Sequence, residues 1–233
     1  MAKKGFVLVL LILLAAILIK NTSLLDFRQE LHNTPAQYAE KGPQEVGAAN
    51  LVTAVIVTYR GLDTLGEVTI LFLTASIIGF FLKTKEKNNV PRKIRETSEI
   101  LETAAKILTP LIFLFGTYVF INGHLTPGGG FQGGAILASG VVLMLLANPT
   151  KQLSHVTLSI LESISGVAFI ILGILGIFLA GGFLDNDYPG LGEFGTLLSA
   201  GAIPVIYIFI GLKVGAELSG IVSNLQETQK EEV

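Results

Sequence analysis

The chain has no cysteine. That excludes disulfides, thiolate metal sites and iron–sulfur ligation by its own residues. Charge is scarce as well: 15% of the 233 residues are charged, against 51% hydrophobic. No basic, aromatic-rich stretch points to nucleic acid, and a net charge of −2 adds nothing in that direction. The three histidines, His32, His124 and His155, share no metal-ligand spacing. No nucleophile–base pair or cofactor motif stands out, so bond-making chemistry by this chain is not expected.

What is present is apolar sequence gathered into uncharged runs. Residues 6–19, 68–82, 111–121, 136–147, 167–184 and 196–212 hold no Asp, Glu, Lys or Arg. Crossing a bilayer takes about 20 mostly apolar residues, and with their polar ends most of these runs approach that length. A buried soluble core would need polar surface that the sequence does not have. No strand-like alternation appears, and backbone groups in lipid must be satisfied within the chain, so helices are the expected element.

The expected fold is an all-α integral membrane protein of about six transmembrane helices, two plus four. An interfacial or re-entrant helix is expected near 46–59, where Asn50, Thr53 and Thr58 interrupt a segment too short to span. A third span there, with the N-terminus outside, is the alternative. Lys3 and Lys4 precede the first run without a small-residue cleavage site after it, so an uncleaved anchor is favoured over a signal peptide. The most basic segment holds Lys83, Lys85, Lys87, Arg92, Lys93, Arg95 and Lys106, which places it on the cytoplasmic side. The expected divisions are a membrane module over 1–85, a basic linker over 86–103 continuing as an amphipathic helix from about Ile94, a four-helix membrane domain over 104–225, and a tail over 226–233. The four spans are placed at about 104–122, 131–147, 156–183 and 194–212. Both termini fall in the cytoplasm of a multi-pass cell-membrane protein.

Residues 123–134 read GHLTPGGGFQGG. Gly128 to Gly133 formally satisfy G-x-G-x-x-G, yet an apolar helix precedes them where a dinucleotide turn needs a strand, and Ala135 follows Gly134 where a P-loop needs Lys. Two readings remain. Pro127, Gly128, Gly129, Gly130, Phe131, Gly133 and Gly134 form a tight turn leading into a smooth helix-packing face, or they break a helix whose free backbone dipoles and His124 face an ion path.

Ionisable residues at membrane depth are functional candidates by default. Glu67 lies about one turn into a span starting at Leu62, and Asp63 precedes it by four residues on the same helical face. Two such carboxylates can pass a proton or sodium ion between them, or they sit at the interface paired with Arg60. Glu162 either lines a path or snorkels to the interface. Lys213 and Glu217 are also four apart and can pair, and a span ending at Leu212 makes them an interfacial ion pair rather than a relay.

Two stretches resemble known families. Asn122–Gly134 is similar to the signature of the MrpB/MnhB subunit of multisubunit Na⁺/H⁺ antiporters, a four-span family matching residues from about 100 to 225. Residues 47–69, GAANLVTAVIVTYRGLDTLGEVT, resemble the C-terminal part of the large MrpA subunit, which is the separate subunit MbhE in membrane-bound hydrogenases. That family typically shows Phe-Asp-Thr-Leu-Gly-Glu; Leu62 replaces the Phe, and Tyr59 stands where Asp is common, while Glu67 is retained as its candidate ion-pathway carboxylate. The resemblance implies an MbhE-like module fused to an MrpB-like one. It further implies a transporter subunit without cofactors of its own, handling transported Na⁺ and H⁺. The implied partners are MrpA/MrpD-like, MrpC-like and MrpE/F/G-like subunits, and, in a hydrogenase or sulfur-reducing setting, redox subunits. The alternative role is a purely structural scaffold joining antiporter-like neighbours.

Overall fold

The computed structural model describes residues 2–23, 34–83 and 97–229. Most of the basic linker, the last four residues and His32 lie outside them. Met1–Gln37 and Tyr38–Val233 are separate units. In the first, the helix α1 (Ala2–Ser23) follows directly from its apolar run, and its apolar part, Val7–Lys20, is shorter than a full span.

The rest is helical among the described residues: α2 (Thr34–Val46), α3 (Leu51–Thr53), a π-helical turn (Ala54–Tyr59), α4 (Gly61–Lys83), α5 (Glu99–Ile121), α6 (Gly130–Ala147), α7 (His155–Leu179) and α8 (Ile203–Gln229). Five of these, α4 to α8, are long and apolar enough to cross a membrane. Residues 51–59 form a short helical segment, as expected, and Arg60 alone separates it from α4. Its start is set by Asn50, whose side-chain oxygen accepts from Val52 N at 3.1 Å.

Local chemistry sets the other boundaries. Ser98 and Ser154 cap α5 and α7, accepting from Leu101 N at 3.3 Å and Thr157 N at 3.2 Å. Glu99 and Glu102 in the first turn of α5 favour its positive end. The helix therefore begins at Glu99 and runs unbroken past Pro110, rather than passing from an amphipathic helix to a span at Ala104. Two expected spans have other bounds than the sequence suggested: the last one starts nine residues later, at Ile203, and runs on to Gln229. α7 stops at Leu179, and residues 180–202 form a long loop although several are apolar. Its turns are closed by internal hydrogen bonds, among them Ala200 N to Leu191 O at 2.8 Å and Ala202 N to Asn186 O at 3.0 Å. Gly201 has φ +54°, and a Cβ there would collide with Asn186 O. Pro204 then sits in the first turn of α8, where its missing N–H costs nothing.

α8 is the axis of the unit and packs against α4, α5, α6 and α7. Of its span residues, 56% are buried, against 6% in α4. Ile203, Ile206, Tyr207, Ile210 and Val214 recur at helical spacing and form one buried stripe with Val46, Val57, Phe169 and Leu184.

Candidate functional site

The glycine-rich stretch closes the α5–α6 connection. Gly133 and Gly134 lie in α6 where backbones touch: a Cβ on Gly133 would be 2.7 Å from Gly116 O of α5, and one on Gly134 would be 2.7 Å from Gly211 O of α8. The carbonyls left free by the turn are taken up by residues 70 or more positions away. Asn50 Nδ2 donates to Gly123 O at 2.8 Å and to Thr126 O at 3.0 Å, and Asn50 N donates to His124 O at 2.9 Å. Thr53 Oγ1 donates to Gly123 O at 2.7 Å and accepts from the Tyr207 hydroxyl at 2.8 Å. Of the two readings of this motif, the geometry is that of the packing turn. The signature stretches 47–69 and 122–134 are pinned to each other.

The loop 180–202 completes this end. Asn186 is buried; its Nδ2 donates to Val46 O at 2.8 Å and Ala200 O at 3.0 Å, and its Oδ1 accepts from Thr58 Oγ1 at 2.9 Å. His124 is fully buried, with Nε2 3.3 Å from Thr196 O. Burial pushes its pKa down, the carbonyls of Thr196, Ile121 and Leu197 only partly opposing this, so the neutral ring donates through Nε2. The Tyr59 hydroxyl donates to Glu45 at 2.5 Å, and burial together with that carboxylate pushes its pKa up to about 12. This end is a locked hydrogen-bond assembly that includes His124.

The ionisable candidates separate into two groups. Asp63 and Glu67 share a face of α4, but that face is exposed in the single chain. Asp63 pairs with Arg60, with side chains 53% and 61% exposed; Glu67 lines neither cleft described next.

Glu162, Lys213 and Glu217 come together between α4, α7 and α8. Lys213 Nζ lies 2.6 Å from Glu217 Oε1, with side chains 9% and 0% exposed. The pair lies mid-helix rather than at a helix end. Because α8 starts at Ile203, Lys213 lies about 15 Å along the axis from one end and Glu217 about 18 Å from the other, at 1.5 Å per residue. Lys213 Nζ also stands 5.0 Å from the Phe72 ring centroid, a cation–π contact from α4. Gly166 on α7 faces the Lys213 side chain: a Cβ there would be 3.5 Å from Nζ, an ordinary contact.

Two clefts flank the pair. One, of about 290 Å³, is mainly apolar, lined by Leu65, Phe72, Phe169 and Ile170, with Glu162 and Lys213 at its polar part. The other, of about 410 Å³, is lined by Ser76, His155, Ser159, Glu162, Glu217 and Asn224. Glu162 lines both. Beyond the second, His155 Nε2 meets Glu227 Oε1 at 2.8 Å. Polar and charged side chains thus follow one seam through the lower part of the helix bundle. Charges in such a place are costly unless paired or hydrated, and Lys213 and Glu217 pair. The sequence pointed to the three charged residues and to Ser159 and Ser163 beside Glu162, but not to Ser76 or Asn224, which come from α4 and α8 and share no spacing with them.

Comparison with known proteins follows the same lines. Residues 100–220 match a family described as a domain related to the MnhB subunit of Na⁺/H⁺ antiporters. An uncharacterized protein of Methanocaldococcus jannaschii is 31% identical over 194 residues, covering 73% of this chain and 74% of its own length. A Na⁺/H⁺ antiporter subunit of Bacillus subtilis is 42% identical over 81 residues, which is 35% of this chain and 51% of that one. A chain in the structure of the membrane-bound sulfane sulfur reductase, an archaeal respiratory membrane complex, superposes with a TM-score of 0.83 at 40% identity, covering 97% of this chain and 98% of that one. A chain of the Mrp complex from Dietzia sp. DQ12-45-1b superposes with a TM-score of 0.76 at 24% identity, a likeness of fold, over 96% of this chain but 26% of that one.

Proposed function

This chain belongs to the MnhB-related family of Na⁺/H⁺ antiporter subunits, and from that premise we propose that it is a membrane subunit of a multisubunit Na⁺/H⁺ antiporter module and contributes part of the ion path. The observation that carries the reading is the Lys213–Glu217 pair, buried halfway along α8 between two clefts that Glu162 also lines. A scaffold has no need of charges at that depth, because apolar residues of the same volume stabilise a core as well or better. Glu162 connects the clefts, and Glu67 and Asp63 on α4 meet a neighbouring subunit.

The setting we favour is a redox-driven respiratory complex. The near-complete coverage of both chains at 40% identity supports it over a free-standing antiporter. The partners are then Mrp-type membrane subunits and redox subunits. With no cysteine of its own, this chain leaves iron–sulfur ligation to those redox subunits. Residues 1–85 act as an MbhE-like module, and both termini face the cytoplasm with the basic linker.

The test is to replace the pair as a unit. Lys213→Met with Glu217→Leu keeps the volume and removes both charges, so the complex assembles with its subunits unchanged. Sodium-dependent proton exchange in inverted vesicles is then lost. Wild-type exchange by the assembled double variant would assign the chain to scaffolding.

A further inference from the structure

Glu217 is half satisfied. Oε1 takes the Lys213 ammonium, but Oε2 is buried and accepts no hydrogen bond. An ionised carboxylate oxygen sealed from water and left without a donor is costly. The residue lines the 410 Å³ cleft, and so do the Glu162 carboxylate, the Ser76 and Ser159 hydroxyls and the Asn224 amide. Oxygen donors of this kind suit a hard cation.

We propose that this cleft binds one monovalent alkali cation, with Glu217 and Glu162 as its charged ligands and Ser76, Ser159 and Asn224 as neutral ones. The proposal rests on the ion-path reading above and specifies what the path holds at this point. Charge balance selects the valence. Lys213, Glu217 and Glu162 sum to −1. Among the lining residues α4 contributes no titratable side chain, and His155 of α7 is engaged with Glu227. One sodium ion, or one proton, brings the cluster to neutrality. A divalent ion would leave a positive charge, and no ion leaves a negative one; both are penalised where the dielectric constant is low. A proton and an alkali ion therefore exclude each other here, one for one.

The experiment is equilibrium binding of radioactive sodium to the purified complex, at alkaline and mildly acidic pH, with lithium or calcium as competitor. Wild-type complex should lose sodium affinity roughly tenfold per pH unit where a single proton competes, and lithium should displace the ion while calcium does not. Glu162→Gln leaves the Lys213–Glu217 pair intact and should bind one sodium ion fewer. Ser159→Ala changes no charge and should weaken the same site several-fold, which keeps the test decisive if Glu162→Gln fails to assemble. Unaltered stoichiometry and affinity in these variants, or displacement by calcium as readily as by lithium, would overturn the site. Vesicle exchange separates the two claims. A wild-type complex that exchanges sodium while the variants bind it normally removes this site alone. A complex that exchanges none, yet loses a bound ion on Glu162→Gln, removes the antiporter reading and leaves the site.

Discussion

A single methyl group tests the α6 seam. In Gly134→Ala the new Cβ meets the Gly211 carbonyl at 2.7 Å, a backbone atom that cannot swing aside. The helices must separate, at a cost of about 1–3 kcal/mol. Gly66→Ala, with nothing within 4 Å, is the control and should leave stability unchanged or slightly raised. Thermal unfolding in detergent compares them. His124 supplies a pH signature. Its folded pKa lies below the unfolded value of about 6.5, so as pH falls the unfolded chain takes the proton first. The stability due to the neutral ring is complete above about pH 6.5 and is lost as pH drops toward the folded value. The unfolding temperature of the wild type should fall over that window, and His124→Gln should flatten this part of the slope. His124 and the glycines were visible in the sequence, but their role was not. The groups that settle it, Asn50, Thr53 and Thr196, lie about 70 residues away in other segments, and nothing local to the motif encodes that pairing.

At the scale of elements, apolar runs gave the helices but not their ends. Residues 194–202 read as the beginning of a span because Phe194, Leu197 and Leu198 are apolar. The loop hydrogen bonds around Leu191, Asn186 and Ala200 hold them out of the helix instead. Starting α8 nine residues later moves Lys213 and Glu217 from an expected interface to mid-helix. That shift changes the energetics of the pair. Lys213→Ala alone should destabilise the protein by about 3–5 kcal/mol, because Glu217 is left as an unpaired buried charge. Lys213→Met with Glu217→Leu should recover most of that loss. The same unfolding measurement reads both, and equal stability of the two variants would mean that the pair is hydrated rather than buried. Glu162 joins the site from α7, and its choice between path and interface depended on helix rotation, which one sequence does not fix.

For the whole molecule the uneven burial of its helices matters most. α8 is enclosed, while α4 is open along nearly its whole length and carries Glu67 on that open face. A carboxylate at membrane depth is costly against lipid, so the expected outcome in the assembled complex is that another subunit covers it. Orientation and assembly can be read together, because the chain has no cysteine of its own and each introduced thiol reports alone. Thr150→Cys lies in the α6–α7 connection and Asp187→Cys in the α7–α8 loop, at opposite ends of the spans. A membrane-impermeant maleimide should reach the first only from the cytoplasmic side and the second only from the outside. Glu67→Cys should be protected from both sides in the intact complex and crosslink to a neighbouring subunit. In the chain expressed alone it should react with a lipid-soluble maleimide. Reaction of Thr150→Cys from outside would invert the topology, and free labelling of Glu67→Cys in the intact complex would show that no subunit docks on α4.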